Sequence, residues 1–191
     1  MIFLIIGNNN NIEIRKVVYK LCTVDVNVFV TNLGKYNEGE LIGKWLSLPF
    51  TDDELKECFN EIGLDNKNYE EYFITDFESS LDHVWSISEY DNLNTINEIV
   101  LDLEMLRDYQ IDIVKTALEC GFENNIKDAI KNVDNYNLDY NINNYEDYGL
   151  YILEECYSIP DAIKNYIDYK SFGEDYLNIA EFTSYGLITY N

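Results

Sequence analysis

From Val26 to Thr31 apolar and polar character alternates, with Val26, Val28 and Val30 interleaved by Asn27, Phe29 and Thr31. That period of two is the signature of a strand with one buried face. Gly34 to Glu40 reads as a loop, and Leu41 to Leu48 as a second strand that Pro49 stops. Thr51 then predicts a helix start, because Glu54 three residues on completes a capping box, and Asp52 and Asp53 lie in the first turn where the helix dipole favours anions. Leu55, Phe59 and Ile62 supply its buried face and Gly63 ends it. Tyr69 to Phe77 returns as a strand. The β-β-α-β order predicts a small antiparallel sheet covered by one helix.

The pattern changes period after residue 79. Leu93, Ile96, Ile99, Val100 and Leu103 follow a 3.6-residue repeat, as do Ile111, Val114, Ala117 and Leu118 before Gly121. Phe122, Ile126, Ala129, Ile130 and Val133 form a third stripe, so residues 80–133 read as helical. The rest is mixed, with helices at Tyr145–Cys156 and Ala162–Tyr169 and a strand at Gly186–Tyr190. Residues 1–25 read separately: Ile12, Ile14 and Val17–Val18 suit a short strand or helix, but the Asn run at 8–11 interrupts an extended pattern. No internal repeat is evident. The expected fold is α+β, parsed as an extension (1–25), a β-β-α-β subdomain (26–79), a helical subdomain (80–133) and a mixed subdomain (134–191).

Charge alters this picture. The chain of 191 residues carries a formal net charge of −23, yet it is 47% hydrophobic and 15% aromatic, so it can bury a core, unlike the acidic chains that stay disordered for want of apolar and aromatic residues. Residues 1–44 hold five basic and four acidic residues; residues 45–191 hold eight and 32. Between Lys67 and Arg107 there is no basic residue and there are ten carboxylates: Glu70, Glu71, Asp76, Glu78, Asp82, Glu89, Asp91, Glu98, Asp102 and Glu104. A second such window, Asn132 to Ile163, holds seven. Asn, Ile and Tyr are abundant, as AT-rich coding produces, but the 11 Lys against 24 Asn indicate that Lys was kept out. Surface acidity for solubility alone does not require that.

A compact chain of this length is about 42 Å across, and that length of duplex DNA bears about 25 phosphates. The protein's charge is of the same order. Such a field repels nucleic acid and anionic membranes and attracts basic surfaces, of which nucleic-acid-binding grooves are the commonest.

Tests for other chemistry return little. Adjacent carboxylates (Asp52–Asp53, Glu70–Glu71, Glu146–Asp147, Glu154–Glu155) point apart on strands and helices, so they make no acid–base dyad. Asp76-x-Glu78 and Asp102-x-Glu104 lack further ligands for a metal. Glu54-Leu55-Lys56 echoes a nuclease motif but lies on the first turn of a capped helix. Gly39–Lys44 is one residue short of a phosphate loop and is followed by Trp45 where Ser or Thr is required. In Asp134–Glu146, Asp139 replaces the glycine of a calcium loop. His83 is the only histidine, and the four widely spaced cysteines give no zinc pattern. With no signal-peptide or membrane-span pattern, the cysteines read as reduced thiols in a cytoplasmic protein.

Asn32-Leu33-Gly34-Lys35-Tyr36-Asn37-Glu38-Gly39-Glu40-Leu41 resembles the opening motif of the ArdA antirestriction proteins of conjugative transposons and plasmids. Tyr69-Glu70-Glu71-Tyr72 through Asp76-Phe77-Glu78, and Ile159-Pro160 through Asn165-Tyr166-Ile167-Asp168-Tyr169 to Phe172-Gly173, support the match. The resemblance implies an elongated, three-subdomain dimer that mimics bent duplex DNA, occupies the groove of type I restriction–modification enzymes, and blocks cleavage and methylation. The middle third matches by acidity and helicity more than by residue identity. Residues 1–25 have no counterpart, and are expected to be dispensable.

The expected function is therefore a non-enzymatic DNA mimic without cofactor or metal. Its partner-binding carboxylates would be the ten between Lys67 and Arg107, with Asp52, Asp53, Glu146, Asp147, Glu154 and Glu155. Tyr166, Tyr169, Phe172 and Tyr176, more aromatics than one small subdomain needs, are the expected homodimer contacts. The rival readings are an acidic adaptor or chaperone for a basic nucleic-acid-binding protein, and a metal-dependent hydrolase using the Asp76/Glu78 or Asp102/Glu104 pairs.

Overall fold

The computed structural model describes residues 4–8 and 11–15 as backbone, and residues 24–65, 67–177 and 180–190 in full. Strands β1 (Leu4–Asn8) and β2 (Asn11–Arg15) pair antiparallel, with Asn8 opposite Asn11. Asn8 and Asn11 of the Asn run are thus themselves strand residues, so the run does not break the extended pattern in the way expected. Val17–Val18 lie outside the described residues.

A second sheet has β3 (Val26–Asn32) at its centre, flanked antiparallel by β4 (Gly43–Leu48) and β5 (Tyr72–Ser79). Val26, Val28 and Val30 are buried on the face covered by helix α2 (Asp52–Glu61). Both arms of the predicted capping box are present: the Thr51 hydroxyl accepts from Glu54 N–H, and the Glu54 carboxylate accepts from Thr51 N–H at 2.7 Å. Gly63 follows the helix with φ +77°, the left-handed conformation that ends helices.

The expected loop after β3 is instead a short helix, α1 (Leu33–Asn37). Its cause is Asn32, fully buried, whose carbonyl oxygen accepts from Lys35 N–H while its amide donates to the Ile62 carbonyl. One side chain caps α1 and bonds the end of α2. Gly34 lies so close to Tyr69 that an added Cβ would come within 2.5 Å of the ring, and the Tyr69 hydroxyl donates to Glu38 at 2.9 Å.

Helices α3 (Leu93–Glu104) and α4 (Asp108–Glu119) follow the predicted stripes. Helix α5 covers only Ile126–Lys131, because Asn125 caps it by accepting from Asp128 N–H; Phe122 lies before the cap and Val133 in a following 3-10 turn. Residues 80–92 are turns, not helix. Leu81 and Ile87 are buried there at a spacing that makes no helical stripe, and Ser79 and Asp91 side chains bond nearby backbone N–H groups. One continuous core runs from Val24 through the three helices to Ile188.

The last third holds β6 (Tyr136–Asp139), α6 (Tyr145–Cys156), α7 (Asp161–Lys164), α8 (Tyr169–Tyr176), β7 (Ala180–Thr183) and β8 (Gly186–Tyr190), the strands ordered β6-β8-β7. The helix expected over Ala162–Tyr169 divides, because Asp168 accepts from Ser171 N–H and hydroxyl and so starts α8. At four residues each, β6 and β7 are too short for alternation to reveal.

Helices α6 and α8 cross through paired glycines. A Cβ on Gly149 would lie 1.9 Å from the Tyr169 carbonyl oxygen, and one on Gly173 would lie 2.0 Å from that of Tyr145. Both helices begin Tyr-x-x-x-Gly behind an Asx cap, Asn144 or Asp168. The crossing is thus a local two-fold repeat, too brief to stand out in the sequence. Small antiparallel sheets and helical stretches succeed one another along an elongated α+β chain. Among the described residues no helix is long and apolar enough to cross a membrane.

Candidate acidic interaction surface

The buried stripes decide where the carboxylates go. On α3, Leu93, Ile96, Ile99, Val100 and Leu103 turn inward, which leaves Glu98 and Asp102 outward one turn apart, about 6 Å along the axis. On β5, Asp76 and Glu78 share a face about 7 Å apart. Each element therefore carries negative charge at roughly half the axial density of one DNA strand.

Of the sixteen expected partner-binding carboxylates, all are exposed except Glu104 and Asp147, which are half-buried. Ion pairs among the described residues go elsewhere. Lys35 pairs with Glu38 and Glu40, Lys44 with Glu61 at 2.6 Å, Lys164 with Asp161, and Lys170 with Glu174. Of the sixteen, only Asp82 comes within ion-pairing distance of a basic side chain among the described residues, His83 Nδ1 at 3.6 Å. The His83 Nε2 is 3.1 Å from Glu119, so the imidazole ties the 80–92 turns to α4.

Neutral donors do much of the work that lysine does in ordinary proteins. Asn68 donates to Asp65, Gln110 to Asp134, Asn125 to Asp128, Asn132 to Glu123 and Asn144 to Asp147. The hydroxyls of Tyr69, Tyr136 and Tyr140 donate to Glu38, Glu123 and Asp112. Burial, then the bond to Glu123, pushes the Tyr136 phenol up to about 12; burial, then Asp112, does the same for Tyr140. An amide or phenol fixes a carboxylate without cancelling its charge. This gives the abundance of Asn and Tyr a physical use, which composition alone did not reveal.

Asp65 is the clearest case. Backbone N–H groups of Asn68, Tyr69 and Lys67 all donate to it, and they hold its carboxyl well below the usual range. Asp168 likewise accepts from a backbone N–H, that of Ser171, while Asp128 and Asp134 accept from the side-chain amides of Asn125 and Gln110; with Asp65, these four exposed carboxylates are not among the expected site residues. For Asp65, Asp128 and Asp168 the signal is an Asx residue three positions from a bonding partner, as in Asn125-x-x-Asp128; the partner of Asp134 is 24 residues away and leaves no local signal.

The expected dimer residues are differently placed. Tyr166 is 87% exposed. Tyr169 is half-buried and donates to the Lys164 carbonyl, while Phe172 stacks on Tyr176 at 4.6 Å and both meet Tyr157 within the same chain. Asp76/Glu78 and Asp102/Glu104 gather no third ligand: among the described residues no three His, Cys, Asp or Glu side chains are grouped to hold a metal ion.

A family model described as "Antirestriction protein (ArdA)" matches residues 28–189. No curated protein matches the chain.

Proposed function

Since the chain belongs to the ArdA family of antirestriction proteins, non-catalytic DNA mimics that act against restriction–modification systems, we propose that it occupies the DNA-binding groove of a type I restriction–modification enzyme. Occupancy of that groove blocks cleavage and methylation together, because both need the same duplex. The observation that carries this reading is the run of ten carboxylates between Lys67 and Arg107, nine of them exposed and none paired with a lysine or arginine among the described residues. A groove built to neutralise phosphates meets a surface whose charges are still unspent.

The same reading assigns partner contact to the sixteen carboxylates named above. It makes residues 26–79, 80–133 and 134–191 successive segments of one track, and has a cytoplasmic homodimer extend that track across a two-fold axis near Tyr166. The matched span begins at Val28, and residues 1–25 carry three basic residues against two acidic ones, so a chain starting at Val26 retains inhibition.

The test is restriction and methylation by a purified type I enzyme, titrated with the protein at two salt concentrations. Both activities fall together, excess duplex relieves the inhibition, and potency drops steeply with salt. Amide replacement at any one of Glu70, Asp76, Glu98 or Asp102 costs at most a few fold, whereas neutralising six to eight together abolishes inhibition with the fold intact. Inhibition that duplex cannot relieve, or its total loss on one amide substitution, rules out groove occupancy.

A further inference from the structure

The outer face of the β4-β3-β5 sheet combines open charge with aromatic rings. Its rows follow from the register: Trp45, Phe29 and Asp76 lie side by side across the three strands, and Ser47, Asn27 and Glu78 form the next row. Paired residues in antiparallel strands project to the same side, so this face is opposite to the one that Val26, Val28 and Val30 bury under α2. Phe29 meets Trp45 edge-on at 5.3 Å between centroids. Gly43 lets the Phe29 ring lie close to β4, since a Cβ there would come within 2.4 Å of it. The Ser47 hydroxyl donates to Asn27 at 2.6 Å and stiffens the neighbouring row. Trp45 nevertheless remains 41% exposed, and Asp76 and Glu78 have no cationic partner among the described residues.

We propose that this sheet face is an arginine-selective contact for the basic partner: the Trp45–Phe29 pair is a platform on which a guanidinium stacks, and Asp76 and Glu78 pair with its N–H edge. The row spans about 10 Å, within the reach of one arginine and the carboxylate that binds it. Lysine offers a strongly hydrated point charge that gains little from such a platform; the planar, weakly hydrated guanidinium gains from both ring and carboxylate. Carboxylates elsewhere on the molecule lie outside this platform, so any preference they show for arginine does not depend on Trp45. The inference rests on the partner being basic, as proposed above, and adds which cation is read and where.

The test uses the full chain with Trp85→Phe, so that Trp45 is the sole indole, titrated with hexa-arginine and with hexa-lysine at physiological salt. The expected result is roughly tenfold tighter binding of hexa-arginine by calorimetry, with a change in Trp45 emission that hexa-lysine does not produce. Trp45→Ala, and Trp45→Leu as a variant that keeps apolar packing on Phe29, lower hexa-arginine affinity several-fold and leave hexa-lysine binding unchanged. Equal affinities in the parent, or a preference that both Trp45 variants leave undiminished, overturn the proposal. A preference that appears only after residues 1–25 are deleted also overturns it, because the chain's own segment then occupies the face. No restriction enzyme is present, so failure here leaves groove occupancy standing, and failure of the inhibition assay leaves this result standing.

Discussion

The region from β3 to β6 and the α6–α8 pair are built on different principles, although both are strongly acidic. In the first, fully buried side chains such as Val28, Val30, Val100, Leu103 and Val114 interlock in one core. In the second, α6 buries only Gly149 and Leu153 and α8 only Gly173, and the helices meet backbone against backbone. A mimic must leave most helix faces to carboxylates, which narrows the stripe available for apolar packing. The first region answers by pooling the stripes of three helices and a sheet. The second, with two short helices, answers by removing side chains altogether so that close contact needs almost no width.

That contrast breaks most readily at Leu103. Leu103→Ala empties a site in the shared core and costs about 2–5 kcal/mol of unfolding free energy, visible in urea denaturation as a global shift. A cost below about 1 kcal/mol would mean the core is not the shared unit described here.

Gly149→Ala probes the other side. The added methyl meets a backbone oxygen that cannot rotate away, so overpacking of about 1–3 kcal/mol outweighs the gain of about 1 kcal/mol in helix propensity. The loss is local: amide hydrogen exchange quickens in α6 and α8 while β3 and α3 stay protected. Unchanged protection in α6 and α8, or equal loss in all four elements, would remove the distinction between the regions. Gly173→Ala gives the same result if the crossing is the two-fold repeat that its geometry describes.

Thr51→Ala separates capping from core. It leaves the Glu54 N–H of α2 without its side-chain acceptor and costs about 1 kcal/mol, without altering exchange in the C-terminal helices.

The smallest effect concerns pH at Asp65. Its folded carboxyl titrates below the unfolded value of about 3.9, so its contribution is present above that value and is lost as pH falls through the folded one. The destabilisation caused by Asp65→Ala, measured by urea unfolding, is therefore constant near neutrality and shrinks below about pH 4. A penalty that persists undiminished to pH 2 would show that the backbone bonds of the 65–69 turn do not depend on the ionised form.

Long, regular patterns were legible in the chain. The strand at Val26, the capped helix after Thr51, the stripes of α3 and α4, and Tyr145–Cys156 each combine local propensity with burial along a single element. What escaped was decided between distant elements. Asn32 made a helix from an expected loop by bonding both Lys35 and Ile62, and Asp168 split one expected helix into two. The motifs that signalled the family proved to be points of assembly. Asn32, Gly34 and Glu38 from the first motif meet Tyr69 of the second or the end of α2, and Gly173 closes the last against Gly149.

The sequence by itself determined the net charge, the windows without lysine or arginine and the apolar periodicities, because these are properties of residues and their order. Only the tertiary structure decided which carboxylates keep their charge unpaired, which are held by amides and phenols, and which acids share the outer sheet face with Trp45. Those outcomes depend on distances of a few ångströms between residues far apart in the chain, and the linear order of residues does not fix such distances.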